Sequence, residues 1–221
     1  MMKLKTIKLL ISLCLLWIVG LMLWHFQAPI KDKLASVFPS FGYVYLSADA
    51  SLRQIKSNTD IEQIAWESLI PPQHRQVIRQ YQTPTAMNLA ENILLSLNAS
   101  TDEAYREAMF STEIVEQRIG TTGAISGFIV PLEVEDHQTL LSFFFVPYFG
   151  ACTHYPPPPP NQMIYVRLAD DFKIPDLNQA YTITGRFISG LYEDPLGTSA
   201  YQLELMSIQK FVGQPDDFRE H

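Results

Sequence analysis

The apolar residues of this chain recur at helical spacing before Gly120 and alternate after it, and that change of period constrains the fold more than any other feature. The runs T-T-G-A-I-S-G-F-I-V-P-L-E-V, L-L-S-F-F-F-V-P-Y-F, M-I-Y-V-R-L, A-Y-T-I-T-G-R-F-I-S-G-L and S-A-Y-Q-L-E-L-M-S-I-Q-K-F are rich in β-branched and aromatic residues on a period of two. Five such runs in about 95 residues predict a small antiparallel barrel. Between the third and fourth runs, Ala169 to Ala180 contains Pro175-Asp176-Leu177 and suits the short helical connection that many five-stranded Greek-key barrels place there. The expected fold class is therefore α+β, an OB-fold-like five-stranded antiparallel β-barrel, with a small β-sandwich as the alternative. Gly123, Gly127, Gly185 and Gly190 then mark bulges or barrel corners, and no G-x-G-x-x-G or Walker pattern is present.

Short helices are expected to pack on this barrel from its N-terminal side. Asp60 can cap a helix carrying Ile61, Ile64, Ala65 and Leu69 on one face until Pro71-Pro72 stops it, with Trp66 and Leu69 packing on the main domain. A second helix is predicted from about Gln73 to Tyr81. A third begins at Pro84, and its Leu89, Ile93, Leu94 and Leu97 form a core-facing stripe. Thr101 precedes a fourth, D-E-A-Y-R-E-A-M-F, with an acidic first turn. His74 lies among polar neighbours and reads as a surface residue. The expected organisation is an anchor over residues 1–28, a juxtamembrane linker over 29–60 in which Phe41 to Leu46 adds a strand, a helical subdomain over 61–118, the barrel over 119–213 and a tail over 214–221.

Lys3, Lys5 and Lys8 precede an almost wholly apolar run from Leu9 to Phe26, which at about 18 residues is near the lower limit for a bilayer-spanning helix. The run ends in Trp24-His25-Phe26-Gln27, with none of the small residues that signal cleavage requires. Cys14 is a poor lipidation site, because bulky Leu13 precedes it and the apolar run continues past it. An uncleaved signal anchor fits best, with Trp17 and Trp24 as interface anchors or lipid-facing bulk. The early lysines place the N-terminus in the cytoplasm, giving a single-pass inner-membrane protein with its C-terminal domain in the periplasm. Cys14 and Cys152 then fall on opposite sides of the boundary, which argues against an intramolecular disulfide. A net charge of −7 with no basic patch argues against nucleic acid as a partner.

The candidate site is V-P-Y-F-G-A-C-T-H-Y-P-P-P-P-P-N-Q, from Val146 to Gln162. Pro156, Pro157, Pro158, Pro159 and Pro160 donate no backbone hydrogen bond, and as polyproline II they form a stiff arm of roughly 15 Å. Cys152 and His154 are two apart, so in an extended segment both side chains share a face with Cα atoms about 6 to 7 Å apart. A thiolate and an imidazole suit zinc or copper(I), and zinc comes first because few methionines lie nearby. A third ligand would come from His137, Glu133, Asp136 or water. As an enzyme, Cys152 would be a nucleophile activated by His154, with the Gly150 and Ala151 amides as oxyanion donors. As plain structure, Cys152 fills core space and His154 satisfies a loop hydrogen bond. Tyr148, Phe149, Tyr155, Pro156 to Pro160, Asn161 and Gln162 together read as a binding surface, an aromatic and proline ledge on which a partner protein docks.

These residues resemble the signature of a bacterial family of exported proteins of unknown function that carry an F-G-A-C-x-H-x-P-P-P-P-P-N-Q core. G-F-I-V-P-L-E from Gly127 to Glu133 and A-W-E-S-L-I-P from Ala65 to Pro71 are similar to that family's strand and helix, so the resemblance spans roughly Ile61 to Phe211. It implies a single-domain envelope protein with a signal peptide or lipid anchor, linked in some members to ABC-type transport and metal uptake. This chain departs from that pattern in its uncleaved anchor. The functional expectation is a membrane-anchored periplasmic accessory or binding protein, zinc-related and associated with an ABC-type transporter or another envelope protein. The alternative is a Cys/His-dependent enzyme of the cell envelope.

Overall fold

The computed structural model of the chain describes residues 43–52, 54, 61–81, 89–150 and 158–211. Two short strands come first, β1 (Tyr43–Leu46) and β2 (Glu62–Gln63), followed by helices α1 (Pro72–Gln80), α2 (Leu89–Thr101) and α3 (Glu103–Phe110). The five alternating runs become β3 (Thr122–Glu135), β4 (Thr139–Val146), β5 (Ile164–Lys173), β6 (Tyr181–Asp194) and β7 (Gly197–Lys210). Antiparallel ladders join β3 to β4, β4 to β5, β3 to β6 and β6 to β7. The ring closes where β5 meets β7 in parallel, through Ile164 opposite Tyr201 and Tyr165 opposite Gln202. The result is a closed five-strand barrel with a few helices, as the sequence predicts, except that this one seam is parallel.

Period-two patterning fills the barrel. Ile125, Ile129, Phe143, Phe145, Ile164, Val166, Ile183, Phe187, Leu203 and Leu205 converge in one buried cluster. Two glycines permit close approach. A Cβ on Gly127 would run into the Val146 carbonyl oxygen and the Trp66 ring, and one on Gly185 would meet the Glu204 carbonyl. Gly185 also sits at a register shift between β6 and β7, so it is a bulge glycine in the expected sense. β1 adds itself to β7, confirming the strand expected before Leu46.

The sequence reading needs correction at several elements. Residues 61–69 are not an α-helix, because β2 pairs in parallel with β3, Ile64 N–H donates to the Ala124 carbonyl at 2.7 Å, and only a single 3-10 turn follows at Trp66–Leu69. The extended run through Ile64 and the 3-10 turn after it send Ile64, Trp66 and Leu69 into the barrel core, a deeper burial than one face of a surface helix would give. The stripe on α2 does not face a core, since Ile93, Leu94 and Leu97 are 52%, 60% and 57% exposed, while Ala99 is buried. His74 is buried rather than superficial. No helix joins β5 to β6. There β5 runs on to Lys173, and Asp176 closes a turn by accepting from Asn178 N–H at 3.0 Å on its carboxylate and from Gln179 N–H at 3.2 Å on its carbonyl. α3 starts one residue later than expected, with Asp102 as its cap accepting from Tyr105 N–H at 3.2 Å, while Thr101 closes α2. The expected anchor over residues 1–28 lies outside the described residues; among those described, no helix is long and apolar enough to cross a membrane.

Two outcomes follow from this packing. Trp66→Ala should cost about 3–5 kcal/mol, as for a buried aromatic, whereas Leu94→Ser and Leu97→Ser should each stay within about 0.5 kcal/mol. Urea midpoints of the three variants check this, and a large loss from the α2 substitutions would show that the stripe is covered. The second outcome concerns Tyr201, whose hydroxyl accepts from Val115 N–H at 2.7 Å and donates to the Leu69 carbonyl at 3.0 Å. Burial raises its pKa above the ordinary tyrosine value. A raised native pKa means that the stabilisation is fully present below the unfolded value, near pH 10, and is lost as pH climbs above it. Tyr201→Phe should therefore cost about 1–3 kcal/mol at neutral pH and make the alkaline fall in stability shallower, as read from urea midpoints between pH 8 and 11.

Candidate functional site

β4 enters the motif as a strand buried on both faces. Phe143 and Phe145 point into the barrel, while Phe144 and Val146 join Tyr148, Met163 and Tyr165 in a second buried cluster on the outside. Tyr192 closes over that cluster, stacked on Tyr165 at 3.7 Å and edge-on to Phe144 at 5.8 Å between ring centroids. The entry to the motif at Tyr148 and its exit at Met163 thus share one apolar cluster. Beyond Tyr148 the chain surfaces. Phe149 is 57% exposed with its ring edge-on to Phe128 at 5.8 Å, and Gly150 takes φ of +74°, a conformation that glycine adopts without cost.

The far end of the motif is framework rather than display. Pro158, Pro159, Pro160, Asn161 and Gln162 are all buried, contrary to their expected place on a surface. The reason lies in β7 and in the turn at Trp66–Leu69, both of which pack against the single turn Pro160–Gln162. Gln162 Nε2 donates to the Trp66 carbonyl at 2.8 Å and to the Asn161 carbonyl at 3.1 Å, and Asn161 Nδ2 donates to the Glu113 carbonyl at 3.4 Å. Both side-chain amides thus donate to backbone carbonyls, two of them in distant segments, and tie the end of the motif to the Trp66 turn and to Glu113. Their own oxygens, Asn161 Oδ1 and Gln162 Oε1, are buried and have no hydrogen-bond partner among the described residues.

Cys152 and His154 lie outside the described residues, as do Tyr155, Pro156 and Pro157. What the fold fixes is where that segment starts and ends, at Gly150 and Pro158. Glu133, Asp136 and His137 do not gather at those ends. All three are exposed; Asp136 and His137 form the β3–β4 tip with φ of 50° and 58°, about 23 Å from Val146 along the eight residues of β4 at 3.3 Å per residue, whereas Glu133 stands opposite Ser142 partway along the hairpin. Among the described residues no three His, Cys, Asp or Glu side chains converge as a metal site. One pair that sequence reasoning missed lies beside the motif. His74 Nε2 stands 3.2 Å from Glu113 Oε2, which also accepts from Gln73 Nε2 at 2.6 Å, and the Glu113 carbonyl is the group that Asn161 reaches. No local signal marks the pair, because 39 residues separate its members.

No curated protein matches the chain. Among solved structures, the crystal structure of a DUF3299 family protein from Pseudomonas aeruginosa PAO1 is similar at 25% sequence identity and a TM-score of 0.51, covering 70% of this chain and 99% of that one. The family described as protein of unknown function (DUF3299) matches residues 66–210. That match begins at the turn which packs on Gln162 and runs through the motif to the end of β7, so this chain belongs to the DUF3299 family of proteins of unknown function.

Proposed function

We propose that this protein is a membrane-anchored accessory or binding protein of the periplasm that offers the segment around Cys152 and His154 to its ligand. The observation that carries the reading is the pair of fixed ends. Tyr148 and Met163 are bound into one apolar cluster, and Pro158 to Gln162 are buried beneath the Trp66 turn. A segment strung between rigid ends has less conformational entropy to lose on binding, which favours a ligand site over a passive connection. The strand order β3-β4-β5-β7-β6 with its parallel closure supports an OB-like barrel, and in such barrels the second and third strands carry the binding face. Here the motif joins the second strand to the third. Zinc is the ligand that a thiolate and an imidazole two residues apart suit best, and an ABC-type transporter is the class of partner that the motif's resemblance suggests.

Location and ligand are tested separately. The apolar run from Leu9 to Phe26 supports the anchor. Carbonate-washed membranes should therefore retain the protein at full length. A soluble mature form lacking the first 25 or so residues would refute the anchor. For the ligand, competition against a chromogenic chelator at pH 7.5 and 5.5 should show zinc binding that weakens below about pH 6, where the thiol keeps its proton and His154 gains one. Cys152→Ser and His154→Ala should each weaken it at least tenfold, about 1.4 kcal/mol. A wild-type protein that binds neither zinc nor copper(I) tighter than micromolar would end the metal reading.

A further inference from the structure

We infer that the exposed face of α2 rests on a lipid surface, that of the membrane holding the anchor, with Ile93, Leu94 and Leu97 entering the boundary between headgroups and acyl chains. The inference rests on the anchor reading for its tether, and it gives the same membrane a second contact with the chain.

The apolar stripe lies on the wrong side for a helix that serves only a core. At 3.6 residues per turn, Ile93, Leu97 and Leu94 fall within an arc of about 100°, and buried Ala99 stands about 170° from the middle of that arc. Half-buried Leu95 lies on the Ala99 side. α2 therefore packs through one side and turns an aliphatic side outward, the reverse of an ordinary surface helix, whose polar residues face water. Glu91 in the first turn is the only charged residue of its sequence, so nothing charged interrupts the stripe.

The size and chemistry of the stripe select a lipid surface over a protein partner. Three aliphatic side chains little more than half exposed present at most a few hundred Å², well short of the roughly 800 Å² per partner of a standard protein interface. The groove lined by Ile93, Ser96, Leu97 and Ser100 is shallow and has no charged wall to hold a peptide or a polar ligand. A bilayer needs no such area, because the second contact of a tethered domain starts from an effective concentration near millimolar. With the run to Phe26 in the bilayer, the 16 residues from Gln27 to Gly42 reach at most about 55 Å, which keeps β1 and all that follows within that distance of the tether. The hydroxyls beside the stripe are already satisfied within the helix. Ser100 Oγ donates to the Leu97 carbonyl at 2.7 Å and Thr101 Oγ1 to the Asn98 carbonyl at 3.0 Å. Groups bonded in this way leave water cheaply, as a lipid environment requires. With no Lys or Arg on α2, the contact draws on apolar area and not on anionic headgroups.

The test uses the full-length chain reconstituted into phosphatidylcholine vesicles, whose surface carries no net charge. A diazirine-bearing amino acid replaces Leu97 or, as a reference, exposed Arg167 on β5. On illumination, intact-protein mass should show phosphatidylcholine adducts at position 97 at least about fivefold above those at position 167, and Ile93→Ser with Leu94→Ser should lower them toward the reference. Carbonate washing of the same vesicles reports the anchor by itself. Equal yields at the two positions in a chain that resists carbonate overturn this inference and leave the anchor standing. Adducts at position 97 that join two copies of the chain in place of lipid make the occupant a second copy and overturn it as well. A high lipid yield at position 97 in a chain that carbonate removes upholds the α2 contact and takes away the anchor. A yield at the reference level in a chain that carbonate removes overturns both.

Discussion

The side chain of Trp66 holds the barrel and the motif together. Its indole stacks on Phe145 with ring centroids 5.9 Å apart, and its Nε1–H donates to the Ser126 carbonyl at 2.7 Å. Both contacts fix it against β3 and β4. They require β3 to come close, and Gly127 permits this, since any Cβ there would meet the Val146 carbonyl and the Trp66 ring itself. The backbone carbonyl of the same residue receives Gln162 Nε2. One residue thus uses its ring, its N–H and its carbonyl on three partners, and the position of the proline motif depends on all of them.

β4 extends that dependence outward. A strand with Phe143, Phe144, Phe145 and Val146 all buried has two cores to satisfy, one inside the barrel and one outside. The outer core is closed by Tyr192 from the long β6–β7 hairpin and by Tyr165 from β5. Because Tyr148 and Met163 both belong to it, the excursion between β4 and β5 leaves and returns through the same apolar patch. An ordinary connection between adjacent antiparallel strands needs only a few residues. This one is much longer, yet both ends are held as tightly as a short turn would hold them.

The five strands were legible in the sequence because alternation is a local signal that burial inside a barrel amplifies, and the order of elements followed from it. Where the reading failed, the deciding contact was distant. Ile61, Ile64, Ala65 and Leu69 are spaced like a helix face, but a parallel ladder with β3, some 60 residues on, pulls the first half of the segment straight. On α2 the spacing of Ile93 and Leu97 truly is helical, yet periodicity says which residues share a face and not what that face meets. His74 looked superficial because its sequence neighbours are polar, and the partner that covers it is Glu113. Asn161 and Gln162 looked like display because amides usually are. Nothing local reveals that the Trp66 turn lies on top of them.

The five prolines acquire a second purpose from this arrangement. Prolines carry no N–H to offer neighbouring acceptors, and Asn161 Oδ1 and Gln162 Oε1 have no donor among the described residues. Each empty acceptor costs on the order of 1–3 kcal/mol, a sizeable fraction of the stability of a domain this size. The amide nitrogens of the same two side chains are well used, on Trp66 and Glu113 carbonyls, so the cost falls entirely on the oxygens. The two amides therefore pin the end of the motif to the Trp66 and Glu113 carbonyls through their nitrogens alone, while their oxygens face no donor among the described residues.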